Sequence, residues 1–456
     1  MMMNLTLSEI ALAIGGELFG NGEKVICGLS TDSRKISPEE VFVALRGERF
    51  DGHDFIPELW GKCAAVITEE EAPGFDGILV SDTLKALGVL SAYWKKKVAP
   101  AITVGVTGSV GKTTTKEMIA SVLKKKYKTH CTDGNLNNHI GVPVTLIRIE
   151  KGTEAVVCEM GMSGKGEIEY LTGLVKPNLA VITNIGTSHM EQLGSREAIR
   201  DAKLEILSGM EPGGTIILDG DEPLLRDAVA MEKLKGFQVI YVGLNPRNDI
   251  YPLDIYKGQD MISFDVISRD KDFRVNVPAV GDHFVKNTLF AVAVGLTCGV
   301  QVVDIQNGIS GYAPTGLRQK IYEKNGIRVI ADCYNASPES MNAALKVLGE
   351  SSGRKIAVLG DMLELGCLTE SAHEKVGEIA HTIGTDKLFT YGKAGYRIML
   401  GAIHAGMEKD NACNTIDAGQ LTEMLQKTLQ KGDTVLFKAS RKMKLEEIIA
   451  FCGLTE

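Results

Sequence analysis

A strand, a glycine loop and a helix in immediate succession constrain this chain more than any other feature. Ile102-Thr103-Val104-Gly105-Val106 is an apolar run of strand length, Thr107-Gly108-Ser109-Val110-Gly111-Lys112-Thr113 follows without a break, and 114–126 reads as a helix. Glycines in such a loop let backbone N–H groups turn inward toward phosphate oxygens. Lys112 supplies a point charge to the β- and γ-phosphates, and the Thr113 hydroxyl suits Mg²⁺. The strict pattern GxxxxGK[ST] places a glycine at 106, where this chain has Val106; its glycines are Gly105, Gly108 and Gly111. The loop predicts ATP binding. It does not separate a kinase, a GTPase, a motor or a ligase.

Around it the chain divides. Upstream, 41–45, 64–68 and 77–80 read as buried strands. The segment 83–97 reads as a helix with Leu84, Leu87, Leu90, Ala92 and Trp94 near one face. Lys95-Lys96-Lys97-Val98-Ala99-Pro100 reads as a solvated helix end and hinge, where cations suit the macrodipole. Downstream, strands at 155–158, 179–183 and 215–218 alternate with helices. This predicts a mostly parallel sheet with helices on both faces. The stretch 238–280 has strand-like runs and few helix signals, so antiparallel strands are expected there, followed by a helix over 284–295. A second boundary falls near Pro314-Thr315-Gly316. Strands at 328–331, 355–359, 387–390 and 434–437 then make a second doubly wound unit. At roughly 150 residues per domain, 456 residues fit three domains, 1–98, 99–313 and 314–456, all of α/β class.

Composition narrows the partners. Net charge is −8 with both signs spread along the chain, unlike a general nucleic-acid binder, which needs a basic face. A small anionic substrate held by a few local cations is compatible. Nine cysteines, with no CxxC pair, read as buried reduced thiols of a reducing compartment. Met1-Met2-Met3-Asn4 has neither a basic nor an apolar signal region. The longest apolar stretch, near 289–300, is too short to span a bilayer and is interrupted by Thr297. A cytoplasmic protein without membrane insertion is expected.

Three further residues carry chemistry. Glu159 ends the strand after the loop, at the carboxyl edge of a parallel sheet, where ligands bind; it reads as a ligand for a divalent metal or as a satisfied loop carboxylate. His189 closes Thr183-Asn184-Ile185-Gly186-Thr187-Ser188-His189 at the end of the next strand. It is either structural or a metal ligand. In the helix expected over 196–207, Ile199, Ala202, Lys203 and Ile206 share a face, so Lys203 points inward, where unpaired lysines are rare. Burial lowers a lysine's pKa, and the neutral amine can add CO₂ to become a carbamate, an anionic metal ligand. The alternatives are a lysine that snorkels, or one that pairs with Asp201 or Glu205.

These residues together resemble a family. Thr107 to Thr114, Glu159, Asn184-Ile185-Gly186-x-x-His189 and Ala202-Lys203-x-Glu205-Ile206 are similar to the Mur ligases, ATP-dependent amide ligases that build the peptidoglycan precursor peptide. Within the family, Gly134-Asn135-Leu136-Asn137-Asn138-His139-Ile140-Gly141-Val142-Pro143 resembles a loop of the member that adds D-alanyl-D-alanine. Asp332-Cys333-Tyr334-Asn335-Ala336-Ser337-Pro338-Glu339-Ser340-Met341 resembles the DxYNAxPxSM signature of that member. Val358 to Gly366 and His373-x-x-Val376-Gly377 are also similar to it. The resemblance runs from about Ser30 to Arg441. Two positions depart from it: Ala331, where a first aspartate is frequent, and Ala439, where glycine is usual.

The resemblance implies a small N-terminal UDP-sugar domain, a central phosphate-loop ATPase domain, and a Rossmann-like C-terminal domain that binds the incoming dipeptide. It implies ATP contacts from Thr107, Gly108, Ser109, Val110, Gly111, Lys112, Thr113 and Thr114, an adenine contact from Asn287, and further ATP contacts from Arg318 and Asp332. Thr113, Glu159, His189 and carbamylated Lys203, its carbamate derived from CO₂, would hold two Mg²⁺ ions, with Lys112 among the catalytic groups. Ser30, Thr31, Asp32, Ser33, Arg34, Arg46, Asp51 and His53 would hold the UDP part. Arg34 and Arg46 can pair with phosphate, though without the family this stretch is only a hairpin-and-turn region. The implied substrates are UDP-N-acetylmuramoyl-tripeptide and D-alanyl-D-alanine, taken by a monomer with no nucleic-acid partner. Rival readings are another amide ligase of the superfamily, either the one adding the third residue or a folylpolyglutamate synthase, and a P-loop NTPase that moves a partner. The motif at 332–341 argues against the first pair. The inward lysine and second doubly wound unit argue against the NTPase.

Overall fold

A computed structural model of the chain describes residues 3–47, 49–269, 271–314 and 316–456. Thr315, in the expected boundary stretch, lies outside the described residues. Three sheets of five or six strands organise the molecule, one after another along the chain. The first holds β1 (Glu17–Phe19), β2 (Gly28–Ser30), β3 (Glu40–Val43), β4 (Ala65–Thr68) and β5 (Gly77–Leu79), in the order β1-β5-β4-β3-β2. Only the β1–β5 pair is antiparallel. Helix α1 (Thr83–Val98) covers one face through Ala86, Leu87, Leu90 and Trp94. Asp82 caps its first turn, and its last turn holds the three lysines. The fully buried Trp94 donates its indole N–H to Ile149 O at 2.8 Å, tying this unit to the next.

The second sheet is parallel throughout. Its strands are β6 (Ile102–Thr107), β7 (Thr129–Cys131), β8 (Ala155–Glu159), β9 (Leu179–Ile182), β10 (Thr215–Asp219) and β11 (Gln238–Val242), in the order β11-β10-β9-β6-β8-β7. The four inner strands β6, β8, β9 and β10 are buried on both faces, as a helix-covered parallel sheet requires, while the edge strands β7 and β11 are partly exposed. One face packs on α2 (Lys112–Leu123), α4 (His283–Thr297) and an antiparallel ribbon of β12 (Tyr251–Lys257), β13 (Ile262–Ile267) and β14 (Phe273–Val277). The other packs on α3 (Arg196–Leu204) and its neighbours. Strand β6 has β9 on one side and β8 on the other. Crossovers leaving in opposite directions open a crevice at the carboxyl ends of these strands.

The third sheet orders β15 (Lys320–Lys324), β16 (Ile327–Ala331), β17 (Arg354–Gly360), β18 (Lys387–Tyr391), β19 (Ala412–Thr415) and β20 (Asp433–Lys438) as β15-β16-β20-β17-β18-β19, antiparallel only at β15–β16. The turn after β16 leads into α5 (Pro338–Glu350), opened by a capping box between Ser337 and Ser340 with Pro338 in the first turn.

Several expectations need correction. Strand β11 lies in the stretch expected to be antiparallel, yet it pairs parallel with β10 from Gln238↔Thr215 to Asp219↔Val242. A short helix, Ala228–Lys233, supplies the crossover. Helix α2 begins at Lys112, not 114, and α3 ends at Leu204 in a tighter turn over Glu205–Gly209. Strands β15 and β19 were not foreseen, being polar edge strands. All nine cysteines are free, but only Cys158 and Cys333 are buried.

Candidate active site

The register of β6 explains the missing glycine. Val106 is fully buried in the sheet, opposite Glu159 on one side and Val181 on the other. The turn starts only after Thr107. Gly108 has φ +148°, and a Cβ there would sit 1.9 Å from Thr183 Oγ1. Gly111, at φ +81°, caps α2. The Ser109 and Val110 amides both donate to Asn184 Oδ1 at 3.0 Å, so they brace the loop. The amides of 111–114 precede the first intrahelical bond, from Thr115 N to Gly111 O. These are the groups left for an anion at a helix N-terminus. Half-buried Lys112 reaches back across the loop, donating to Gly108 O at 2.8 Å and Ser109 O at 3.2 Å. Its enclosure lowers its pKa; the nearby Glu159 opposes this and Arg318 adds to it.

Glu159 is 1% exposed at the end of β8. Asn137 Nδ2 donates to its Oε1 at 2.8 Å. Its other oxygen, Oε2, and the Thr113 Oγ1 are both buried without a hydrogen bond. An orphaned carboxylate oxygen and an orphaned hydroxyl on one cavity wall form the donor set of a hard divalent cation. Among the described residues no group of three or more His, Cys, Asp or Glu gathers for a metal, so such a cation would also need oxygens from a ligand.

His189 has φ +65° and heads the short helix Met190–Leu193. Its Nδ1 lies 2.8 Å from Glu364 Oε2 in the third domain, although the ring falls short of a straight hydrogen bond. Lys203 is 1% exposed in the last turn of α3. The snorkelling and pairing alternatives do not apply. Asp201 is taken by Arg200 and Lys233, Glu205 accepts from the Gly166 amide, and Lys203 forms no hydrogen bond or ion pair among the described residues. Burial drives its pKa well down, and the charge of Lys112 drives it further.

The third domain closes the cavity. Asp332 Oδ2 accepts from the buried Lys438 at 2.6 Å, and Lys438 also donates to Asn335 O at 3.0 Å. The Arg318 guanidinium stacks 3.7 Å over the Tyr334 ring. Asn287 on α4 accepts from Thr115 Oγ1 at 3.2 Å beneath the loop. Glu339 Oε1 accepts from the Thr187 amide and hydroxyl at 2.8 and 2.9 Å, across the domain junction. Ser109 to Thr114, Glu159, His189, Asn287, Arg318 and Asp332 all line one cavity of about 580 Å³. Thr107, Gly108 and Lys203 stand behind its wall. Sequence reading missed the functional placement of Asn137, Asn184, Glu339 and Lys438. Asn137, Asn184 and Glu339 lie inside motifs quoted above and Lys438 just beyond the strand at 434–437, but their partners are distant in sequence.

The residues expected to hold UDP do not reach this cavity. They form a second cluster on the first sheet. Ser30 Oγ donates to Asp32 O, Arg34 grips Asp32 through both Nε and Nη2, and Arg46 meets Asp51, Glu69 and Glu70. His53 is buried, with Nδ1 2.6 Å from Asp51 Oδ1 and Nε2 accepting from the Glu69 amide. Thr31 and Ser33 lie on the same turn. Both guanidinium groups are thus already matched with carboxylates, and a phosphate there would have to compete with them.

Comparison with known proteins gives a consistent result. The chain matches the Mur ligase middle domain over residues 106–295, the Mur ligase glutamate ligase domain over 318–441, and the Mur ligase family catalytic domain over 25–104. It is 41% identical to the UDP-N-acetylmuramoyl-tripeptide--D-alanyl-D-alanine ligase of Bacillus subtilis (strain 168), covering 98% of each chain. A crystal structure of MurF from Acinetobacter baumannii superposes with a TM-score of 0.91 at 30% identity over 99% of each chain. MurF ligase from Thermotoga maritima, solved in complex with ADP, gives 0.82 at 29% identity over 93% of this chain and 96% of that one. Among the described residues no helix is long and apolar enough to cross a membrane.

Proposed function

The chain belongs to the Mur ligase family, and on that premise we propose that it joins D-alanyl-D-alanine to UDP-N-acetylmuramoyl-tripeptide at the expense of ATP, in peptidoglycan precursor synthesis. We assign 1–98 to the UDP-sugar, 99–313 to ATP and 314–456 to the incoming dipeptide, in a cytoplasmic monomer. One observation carries the reading. The phosphate-loop amides, Thr113 Oγ1 and Glu159 Oε2 face the 332–341 turn of the third domain across a single cavity.

The reaction brings two anions together. The tripeptide carboxylate attacks the γ-phosphorus of ATP, the bond to the β-phosphate oxygen breaks, and ADP leaves an acyl phosphate. The dipeptide amine attacks the acyl carbon through a tetrahedral intermediate. Phosphate departs and the amine loses a proton, leaving the amide. Lys112 and the α2 amides offset the charge of the phosphoryl oxygens. Thr113 and Glu159 would hold one Mg²⁺ and His189 with carbamylated Lys203 a second, the ions supplying further charge neutralisation. Lys203 suits carbamate formation. The ammonium first loses a proton, the neutral nitrogen bonds to the carbon of CO₂, and a second proton leaves, so that with two protons lost an enclosed cation becomes an anion. Packing of the third domain over the cavity excludes water, which would hydrolyse the acyl phosphate.

Product analysis tests this directly. With ATP and the tripeptide nucleotide, addition of D-alanyl-D-alanine yields one amide per ADP. ADP release with no new amide in the complete mixture would refute the ligase assignment.

A further inference from the structure

Two turns of the third domain grip one loop of the central domain. On one side Glu339 accepts from the Thr187 amide and hydroxyl. On the other, the 364–366 turn docks on 189–191. Glu364 O accepts from the Glu191 amide at 3.3 Å. Gly366, at φ +54°, packs so closely that a Cβ would lie 3.1 Å from Glu191 Cα. Between these grips Glu364 Oε2 meets His189 Nδ1 at 2.8 Å. His189 and Glu364 both have φ +65°, a conformation uncommon outside glycine and kept only where the surroundings enforce it.

An imidazole has two nitrogens, and a carboxylate on one decides the state of the other. Glu364 Oε2 sits beside Nδ1 without a straight hydrogen bond, so a small turn of the ring would bring Nδ1–H onto the carboxylate and leave Nε2 as the donor atom. This is the arrangement by which outer carboxylates prepare a histidine for a cation. His189 lines the same cavity as Glu159. We propose that Glu364 is a positioning residue that holds His189 as a cation donor, so that the cation site of the central domain is completed only when the third domain is docked. The inference rests on the reading of His189 as a cation ligand. Glu364 touches the 189–191 loop and is not among the residues that line the cavity.

The test measures Mn²⁺ binding to the full chain in the presence of ADP, by electron paramagnetic resonance of the free ion, alongside thermal melting. Four proteins are compared with the unaltered chain: Glu364→Ala, Glu364→Gln, His189→Ala and the double variant. Loss of an outer-shell partner weakens a metal by about 10- to 100-fold, so Glu364→Ala should fall in that range with little change in melting. Glu364→Gln, whose amide oxygen still accepts from Nδ1–H, should stay within a few-fold of the unaltered chain. The double variant should bind no more weakly than His189→Ala alone, because the two act as one unit. If His189→Ala weakens Mn²⁺ but Glu364→Ala leaves it unchanged or tightens it, the positioning role is overturned and the cation reading stands. If His189→Ala leaves binding unchanged, both fall.

Discussion

The two carboxylate oxygens of Glu159 have different duties. Oε1 is fixed by Asn137, while Oε2 is buried and unpartnered. Asn137→Ala should therefore free the carboxylate to rotate and weaken Mg²⁺ activation by about 10- to 100-fold. A titration of activity against Mg²⁺ checks this, and an unchanged midpoint would count against the site. Lys203→Ala should lose activity and recover part of it with added short carboxylates, which replace the carbamate's charge. Failure of rescue would weaken the carbamate assignment. In the N-terminal cluster, the side chain of Arg34 holds Asp32 from its ordinary 3.8 down to about 2. The sign follows from linkage. A carboxylate depressed in the fold contributes stability that is full above about 3.8 and is lost as the pH falls through about 2. Arg34→Ala should return the Asp32 titration, followed by NMR, toward 3.8; because Arg34 is exposed and Asp32 only partly buried, overall stability should move little. At this scale sequence told much about Glu159 and Lys203. Strand position placed Glu159 at the edge of the sheet, and helical spacing placed Lys203 facing inward. Asn137 was not legible as a brace, because its partner lies on another strand and only the folded sheet brings them together.

At the scale of elements, β6, its loop and α2 form the unit on which nucleotide binding depends. Gly108→Ala would force a side chain into Thr183 at φ +148°. It should destabilise the protein by about 1–3 kcal/mol and abolish ATP binding, as seen by melting and nucleotide titration. The strand–loop–helix order was readable because apolar runs, glycines and the lysine are all local. The role of Val106 was not, since it depends on register against β8 and β9. The parallel pairing of β11 escaped for the same reason. A short apolar run such as Val239-Ile240-Tyr241-Val242 reads the same in either kind of sheet, and the crossover helix Ala228–Lys233 is too short to signal itself. The edge strands β15 and β19 carry too few apolar residues to stand out.

At the scale of the molecule, the second and third domains share the walls of one cavity. The Thr187–Glu339 and His189–Glu364 contacts both cross that junction. Glu339→Ala should accelerate hydrogen exchange at the Thr187 amide while leaving the 107–115 segment protected, a contrast that mass spectrometry can resolve. Equal exchange in both proteins would mean the clasp does not hold in solution. Three-domain organisation was legible from changes in strand and helix rhythm, but the Thr187–Glu339 and His189–Glu364 contacts were not, because each pairs residues more than 150 positions apart. In the proposed mechanism the tripeptide carboxylate takes the γ-phosphoryl group before the amide forms. Tripeptide nucleotide carrying ¹⁸O in its reacting carboxylate, turned over with ATP and D-alanyl-D-alanine, tests this most directly. One ¹⁸O should pass into each inorganic phosphate released; amide formation with unlabelled phosphate would refute this order of events.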